Sequence, residues 1–316
     1  MLKLLRELVE IESVSGFEGE VRNYIRERIK DFGFKSKVDE VGNVVVEGSS
    51  DLWFVTHMDT VPIKAEFRHD GEFAYGTGVC DAKGSIAAIL DALGRIEELK
   101  LNFAFFVDEE EGGTGSKHFS QRYKGRAVVM EPTDLKIATV QFGSAEVTLN
   151  FKGISVHGAY WDKGVNAIEE AIKFVNGLKG RLNFSVQMIR GGSEEYRIPD
   201  ECEMRLSFIF DREIDREEFV KIFEGFDYNV TEFYEPIKCD GIEELERFVK
   251  EKTIMVSWTD AYNLKKSGWK VTIWGPGSLI DCHTEREKVR IADLHKASEI
   301  ILKVNEIVES ESRERS

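Results

Sequence analysis

Four short apolar runs, each closed by ionisable side chains, limit the folds open to this chain more than any other feature. They are "NVVVEG" (43–48), "LWFVTH" (52–57), "NFAFFVDEE" (102–110) and "AVVMEP" (127–132). Runs this short, apolar without alternation, suit strands buried on both faces, and a sheet covered on both sides is built mostly from parallel strands with helices between them. The intervening segments have helical spacing. Residues 2–11 read as an amphipathic helix, 17–32 as a second with Val21, Tyr24, Ile25 and Ile29 on one face, and 83–98 as a third. The pattern predicts an α/β domain with a mostly parallel sheet.

Near residue 144 the pattern changes. "AEVTLNFKG" alternates like a half-exposed strand and "NAIEEAIKFVNGL" is an amphipathic helix. "NFSVQMIRGG" and "ECEMRLSFIF" read as strands, and 215–226 as another helix. This β-α-β-β-α-β order predicts an inserted α+β module of ferredoxin-like type over 144–238. The α/β domain is then assembled from 1–143 and 239–316 and closes with a helix from about 291 to 309.

With 316 residues, 42% of them hydrophobic, the chain can bury a core in each module. A net charge of −15 argues against nucleic acid and anionic membranes as partners. Arg6, Glu7 and Glu10 interrupt the N-terminal stretch where a signal peptide needs apolar continuity. No run approaches the roughly 18 apolar residues of a membrane span. The four cysteines are scattered without a C-x-x-C, which makes a reducing cytoplasm the expected location. Cys80 and Cys282 read as packing residues. Only three glutamines stand beside abundant Glu, Lys and Arg, a composition that resembles heat-adapted proteins.

Ligands of open α/β sheets bind beyond the carboxyl ends of the strands. His57 and Asp59, two residues apart and so on one face, close one run. Glu109, Glu110 and Glu111 follow "FAFFVD", and Glu131 ends "AVVM". Asp81 lies in the Gly-rich turn "GTGVCDAKGS" before a helix, and His283 follows "GPGSLIDC". Singly each is ordinary. An H-x-D pair often closes a surface strand, an acidic run is usually solvated, and the Gly-rich turn lacks the spacing of a phosphate loop. Gathered at strand ends, two histidines and three carboxylates suit two zinc-like ions, each with one His and one carboxylate and with an Asp shared between them. Two divalent cations, three carboxylates and one hydroxide make a neutral core. One of the adjacent glutamates is left to act as a base, and the reaction class is hydrolysis of an acyl or peptide bond.

The stretches "HMDTVP", "GTGVCDAKG", "DEEEGG", "EPT", "GISVHGAY" and "CHTEREKV", in that order, resemble the co-catalytic zinc peptidase family of aminoacylase, carboxypeptidase G and succinyl-diaminopimelate desuccinylase. The resemblance covers nearly the whole chain. It implies two divalent metal ions, zinc first and cobalt second. Carried over by position, His57 and Glu131 become ligands of one ion, Glu110 and His283 of the other, and Asp81 the bridge, followed by a cis peptide to Ala82. Asp59 becomes the partner that aims His57, Glu109 the general base, and Glu111 a solvated side chain. The inserted module becomes a lid and dimerisation domain, so that the resemblance implies a homodimer in which His157 reaches the partner's site as an oxyanion donor. His69, His118 and His295 read as structural.

Substrate contacts transfer less cleanly. "WTDAYNLKKSG" resembles the family's substrate-side loop and marks Asp260 and Asn263. The family's Asn before "RIPDE" is Tyr196 here, and the arginine ending the next strand is Ile209, which leaves Arg197 or Arg212 to compensate. "DEEEGGTGSK" and "GPGSLIDCHTEREKV" look most like the branch that hydrolyses a glutamyl-linked acidic amino-group carrier protein to release lysine or ornithine. That branch implies a role in lysine and arginine biosynthesis and a basic docking patch, for which Lys152, Lys163, Lys173, Lys179 and Arg181 are candidates. The rival of the same class is a broad N-acyl-amino-acid deacylase or small-peptide hydrolase. A non-catalytic relative is opposed by the complete set of five ligands and a base.

Overall fold

The strand Leu52–His57, buried along its whole length, organises the larger of two units. It pairs in parallel with Asn102–Phe106 on one side and with Arg126–Val129 on the other, and Lys270–Ile273 extends the parallel run. Continuous apolar sequence is what such doubly covered strands require. Flanking strands are antiparallel: Val44–Val46 on Asn102–Phe106, Lys37–Val38 beyond it, and Ile137–Gln141 on Lys270–Ile273. The computed structural model describes residues 1–309, and the last seven residues of the expected α/β domain lie outside the described residues. The larger unit comprises Met1–Val140, Lys238–Met255 and the chain from Thr259 onward, and the smaller comprises Gln141–Ile237 with Val256–Trp258.

Helices cover the larger sheet where the spacing places them, at Leu2–Glu10, Gly19–Asp31 and Ile291–Ile307. The helix expected over 83–98 is shorter, Lys83–Leu93. Gly94 caps it with the ring of Phe32 lying 3.1 Å from where a Cβ would stand, and the polar residues after it are exposed. All but one of its eleven residues are buried, which explains its run of Gly, Ser and Ala between packed neighbours. Phe54 sits in the core with Phe103 and Trp274, ring centroids 6.4 Å away in each case.

In the smaller unit four antiparallel strands run in the order Asn183–Gly191, Glu201–Phe210, Gly143–Lys152, Asp227–Tyr234. The two central strands alternate buried and accessible residues, and their inner face packs with the helix Ala167–Leu178 and with Phe219 and Phe223. The helix expected over 215–226 is a short α-helix, Arg216–Val220, continued by the 3₁₀ turn Lys221–Phe223. Val256–Trp258, expected in the α/β domain, cluster instead with the smaller unit, where the Trp258 ring lies 5.4 Å from Tyr234. Among the described residues no helix is long and apolar enough to cross a membrane.

Phe54 has no exposed surface, so Phe54→Ala should cost about 3–5 kcal/mol of unfolding free energy. Chemical denaturation of the variant against the parent checks this.

Candidate metal centre

Parallel register sets the carboxyl ends of the central strands along one edge. His57 pairs with Phe106 in the ladder, and Val55 with Val129. From Phe106 the chain runs through Val107 and Asp108 to Glu109 and Glu110, and from Val129 through Met130 to Glu131. The His57 ring Nε2 lies 3.0 Å from Asp81 Oδ1 and 3.9 Å from Glu131 Oε2. His283 Nε2 lies 3.0 Å from Glu110 Oε2 and 3.5 Å from Asp81 Oδ2. Asp81 therefore turns one oxygen toward each histidine. Three sets of possible donor atoms lie mutually within 4.8 Å: His57, Asp81 and Glu131; Asp81, Glu110 and His283; His57, Glu109 and Glu110. Glu131 Oε1 is buried with no hydrogen-bond partner. An orphaned buried carboxylate oxygen amid nitrogen and oxygen donors fits a zinc-like cation.

Two further carboxylates fix this arrangement. Asp59 Oδ1 lies 3.3 Å from His57 Nδ1, whose ring also meets the Asp59 carbonyl at 3.0 Å. The same carboxylate accepts the Glu109 N–H at 3.1 Å, the Glu110 N–H at 3.0 Å and the Ser15 hydroxyl at 2.7 Å. Asp59 thus sets the backbone of Glu109 and Glu110 as well as the His57 ring. Glu287, only 2% exposed, accepts the N–H groups of Gly78 at 3.0 Å, Cys80 at 2.8 Å and Asp81 at 3.0 Å. It clamps the loop that presents Asp81, whose peptide to Ala82 is cis. Lys83, buried under this loop, donates to the Ile11 carbonyl at 2.7 Å, and burial lowers its pKa to about 8. Sequence reasoning assigned no role to Ser15, Lys83 or Glu287. Glu287 lay inside the quoted "CHTEREKV", but its partners are backbone groups some 200 positions away, and backbone donors leave no residue signature.

The electrostatics ask for cations. Burial pushes Glu109 and Glu131 well above the usual carboxylate range, and neighbouring carboxylates add to it. Burial also opposes a charged His57, yet Glu109, Asp59, Asp81 and Glu131 outweigh it and hold its pKa well above the usual value. Hydrogen bonds to Asp81 and Glu110 raise His283 to about 10. Asp81 itself is held low, because its two histidines overcome the cost of burial. The cluster must take up positive charge, as protons or as metal ions.

The other expected site residues are placed as follows. Asp260 is fully buried before the helix Ala261–Lys266, and burial raises its pKa to about 7. Asn263 donates to the Gly113 carbonyl at 3.1 Å and to Ser116 Oγ at 2.9 Å, so its amide braces the helix Thr114–Arg122. In the smaller unit His157 is exposed, its ring edge-on to Tyr196 at 5.2 Å, and Arg197 is bonded to Ser155, Ser193 and Asp200. Four of the five cations expected to form a docking patch have local partners: Lys152 with Glu201, Lys163 with Asp162, Lys173 with Glu170 and Lys179 with Asn176. Glu111 is exposed. The thiols of Cys80 and Cys282 both donate to the Ser278 carbonyl at 3.5 Å.

Two imidazoles that share an aspartate beyond the carboxyl ends of parallel strands fit a metallohydrolase, and the family match makes the chain a hydrolase of amide or peptide bonds. The chain belongs to peptidase family M20/M25/M40, whose model matches residues 53–306. A Pyrococcus abyssi protein named, provisionally, as a LysW-lysine/LysW-ornithine hydrolase is 33% identical over 196 residues, which span 57% of each chain. The LysW-lysine/LysW-ornithine hydrolase of Sulfurisphaera tokodaii is 24% identical over 92% of this chain and 91% of its own. Among solved structures, a Staphylococcus aureus tripeptidase is similar with a TM-score of 0.80 at 21% identity, covering 97% of both chains.

If Glu287 holds the Asp81 loop, Glu287→Gln should weaken cobalt binding by on the order of 10–100-fold while leaving the circular dichroism spectrum unchanged. Titration of the metal-free protein with cobalt, followed by its visible absorption, measures this.

Proposed function

We propose that the protein is a two-metal amidohydrolase that releases lysine or ornithine from a glutamyl-linked amino-group carrier protein in the cytoplasm. The observation that carries the hydrolytic reading is Asp81 facing His57 with one oxygen and His283 with the other. His57, Asp81 and Glu131 would hold one divalent ion, and Asp81, Glu110 and His283 the other, with zinc favoured by the donor set and cobalt able to replace it. Bound there, the ions would polarise the scissile carbonyl and acidify the attacking water. Glu109, held by its N–H on Asp59, takes a proton from that water and returns it to the departing amine. Asp59 keeps the His57 ring aimed, and Glu287 keeps Asp81 between the two histidines.

Two named hydrolases of LysW-linked lysine and ornithine support the substrate assignment. The similarity to a tripeptidase favours a second reading, a broad deacylase or small-peptide hydrolase. In either case the smaller unit serves as lid and dimer interface. Its edge strand Asn183–Gly191 offers unpaired backbone and exposes Val186 and Ile189 at 44% and 48%, a surface that strand pairing with a second copy would cover. In that dimer His157 supplies the oxyanion donor to the partner's site, and Arg197 lies on the same unit for the substrate carboxylate, with Asp260 buried on the metal-bearing unit.

With zinc or cobalt restored, the enzyme should cleave carrier-linked lysine or ornithine far faster than acetyl-lysine or dipeptides, and comparable rates would favour the second reading. Glu109→Gln should lower kcat by roughly 10²–10⁴-fold with metal content retained by elemental analysis. Light scattering should find a dimer, and Ile189→Pro in the edge strand should shift it toward monomer.

A further inference from the structure

A groove of about 620 Å³ opens between the helix Gly19–Asp31 and the segment that follows it. Its floor includes Phe34, and its rim carries Arg26, Lys30, Lys35 and Lys37, with Glu27 the single acid in the lining. Asn23, Arg26, Glu27 and Lys30 repeat at helical spacing, opposite the buried Val21, Ile25 and Ile29, so they form the outward face of the helix. Over residues 21–37 six bases stand against two acids, in a chain whose net charge is −15. Arg28 pairs with Asp31 and Lys37 with Glu47. Arg26, Lys30 and Lys35 are exposed and make no ion pair among the described residues.

Uncompensated cations gathered around an aromatic floor are unexpected in so acidic a chain, where carboxylates are available almost everywhere. We propose that this groove docks the acidic surface of the protein that carries the substrate amide. The inference rests on the carrier-linked reading of the active site and adds where the carrier is held. It also answers a difficulty of that reading, since an acidic partner needs a positive landing place and three of the five lid cations are already ion-paired. The helix that lines the groove starts beside the metal centre. Glu18, which precedes the helix, accepts the N–H of Asp108, next to the proposed base Glu109. Arg26 and Lys30 lie seven and eleven residues beyond Gly19, so about 10–17 Å along the helix at 1.5 Å per residue. An extended arm that starts in the groove needs about five residues to reach the head of the helix, and more to enter the site. Opposite charge at the landing site would act mainly on encounter and register, leaving the chemistry at the metals untouched.

The test uses the full chain with metals restored and the variant Arg26→Glu/Lys30→Glu/Lys35→Glu. The probes are dye-labelled carrier protein, the same carrier bearing glutamyl-linked lysine, and acetyl-lysine. The variant should raise KM for the carrier-linked substrate and the anisotropy Kd for the carrier by on the order of tenfold, and flatten their salt dependence. Turnover of acetyl-lysine should stay within twofold of the parent, which also certifies folding. Unchanged carrier binding in the variant would overturn the groove, as would failure of the parent to bind carrier at all. Equal affinity of the parent for a single-stranded oligonucleotide would overturn it too, by making the groove a general polyanion site. Binding that depends on the three cations, without hydrolysis of the linked lysine, would keep the groove and reject the substrate reading.

Discussion

Carboxylates that repel one another have been brought to one edge of a sheet and buried there. Asp81, Glu109, Glu110 and Glu131 meet around His57 and His283, and burial around His57, Asp81 and Glu131 leaves little water to screen them. Protons can relieve the repulsion, which is the meaning of the raised Glu109 and Glu131. Divalent cations relieve it better, since each brings two charges and accepts several donors at once. The parallel strands make this concentration of charge possible because they end together and are anchored by apolar residues on both faces. The fold supplies rigidity, and the site spends it on holding like charges close.

Backbone geometry around these donor groups carries the same signature. Asp108, just before Glu109, and His283 itself both adopt the left-handed conformation, with φ of 59° and 56°. For residues with a Cβ this costs roughly 1–2 kcal/mol each. The cost is met by neighbours that over-determine the loops. Glu18 receives the Asp108 N–H, Asp59 receives the next two, and Glu287 receives three from the Asp81 loop. Close packing completes the support: at Gly277 a Cβ would lie 2.3 Å from Cys80 Sγ, so only glycine lets the His283 and Asp81 loops meet.

Much of the sheet is legible in the residues because an uninterrupted apolar run such as "LWFVTH" admits few other fates. The strand-end histidine and carboxylates are legible for the same reason, as each stands where such a run stops. The end of the helix at Gly94 is not legible in the residues, since Ile96 continues the apolar spacing and the packing of Phe32 on Gly94 is a tertiary fact. The loop resemblance marks Asn263 for substrate, while the bonds of its NH2 group to Gly113 and Ser116 are tertiary facts that the residues do not announce. Glu287 carried no signal of its own, because a residue that binds backbone N–H groups can pair with any sequence at all. Among cations, counting residues does not reveal which have partners; Lys173 and Lys30 look alike until Glu170 is seen beside the first.

The sharing of Asp81 is the claim on which the rest turns, and calorimetric titration of zinc into metal-free protein tests it directly. The parent should bind two ions per chain, Glu131→Ala and Glu110→Ala should each lose one high-affinity ion, and Asp81→Ala should weaken both together. A parent that binds a single ion, or an Asp81→Ala variant that loses only one of two, would contradict the account.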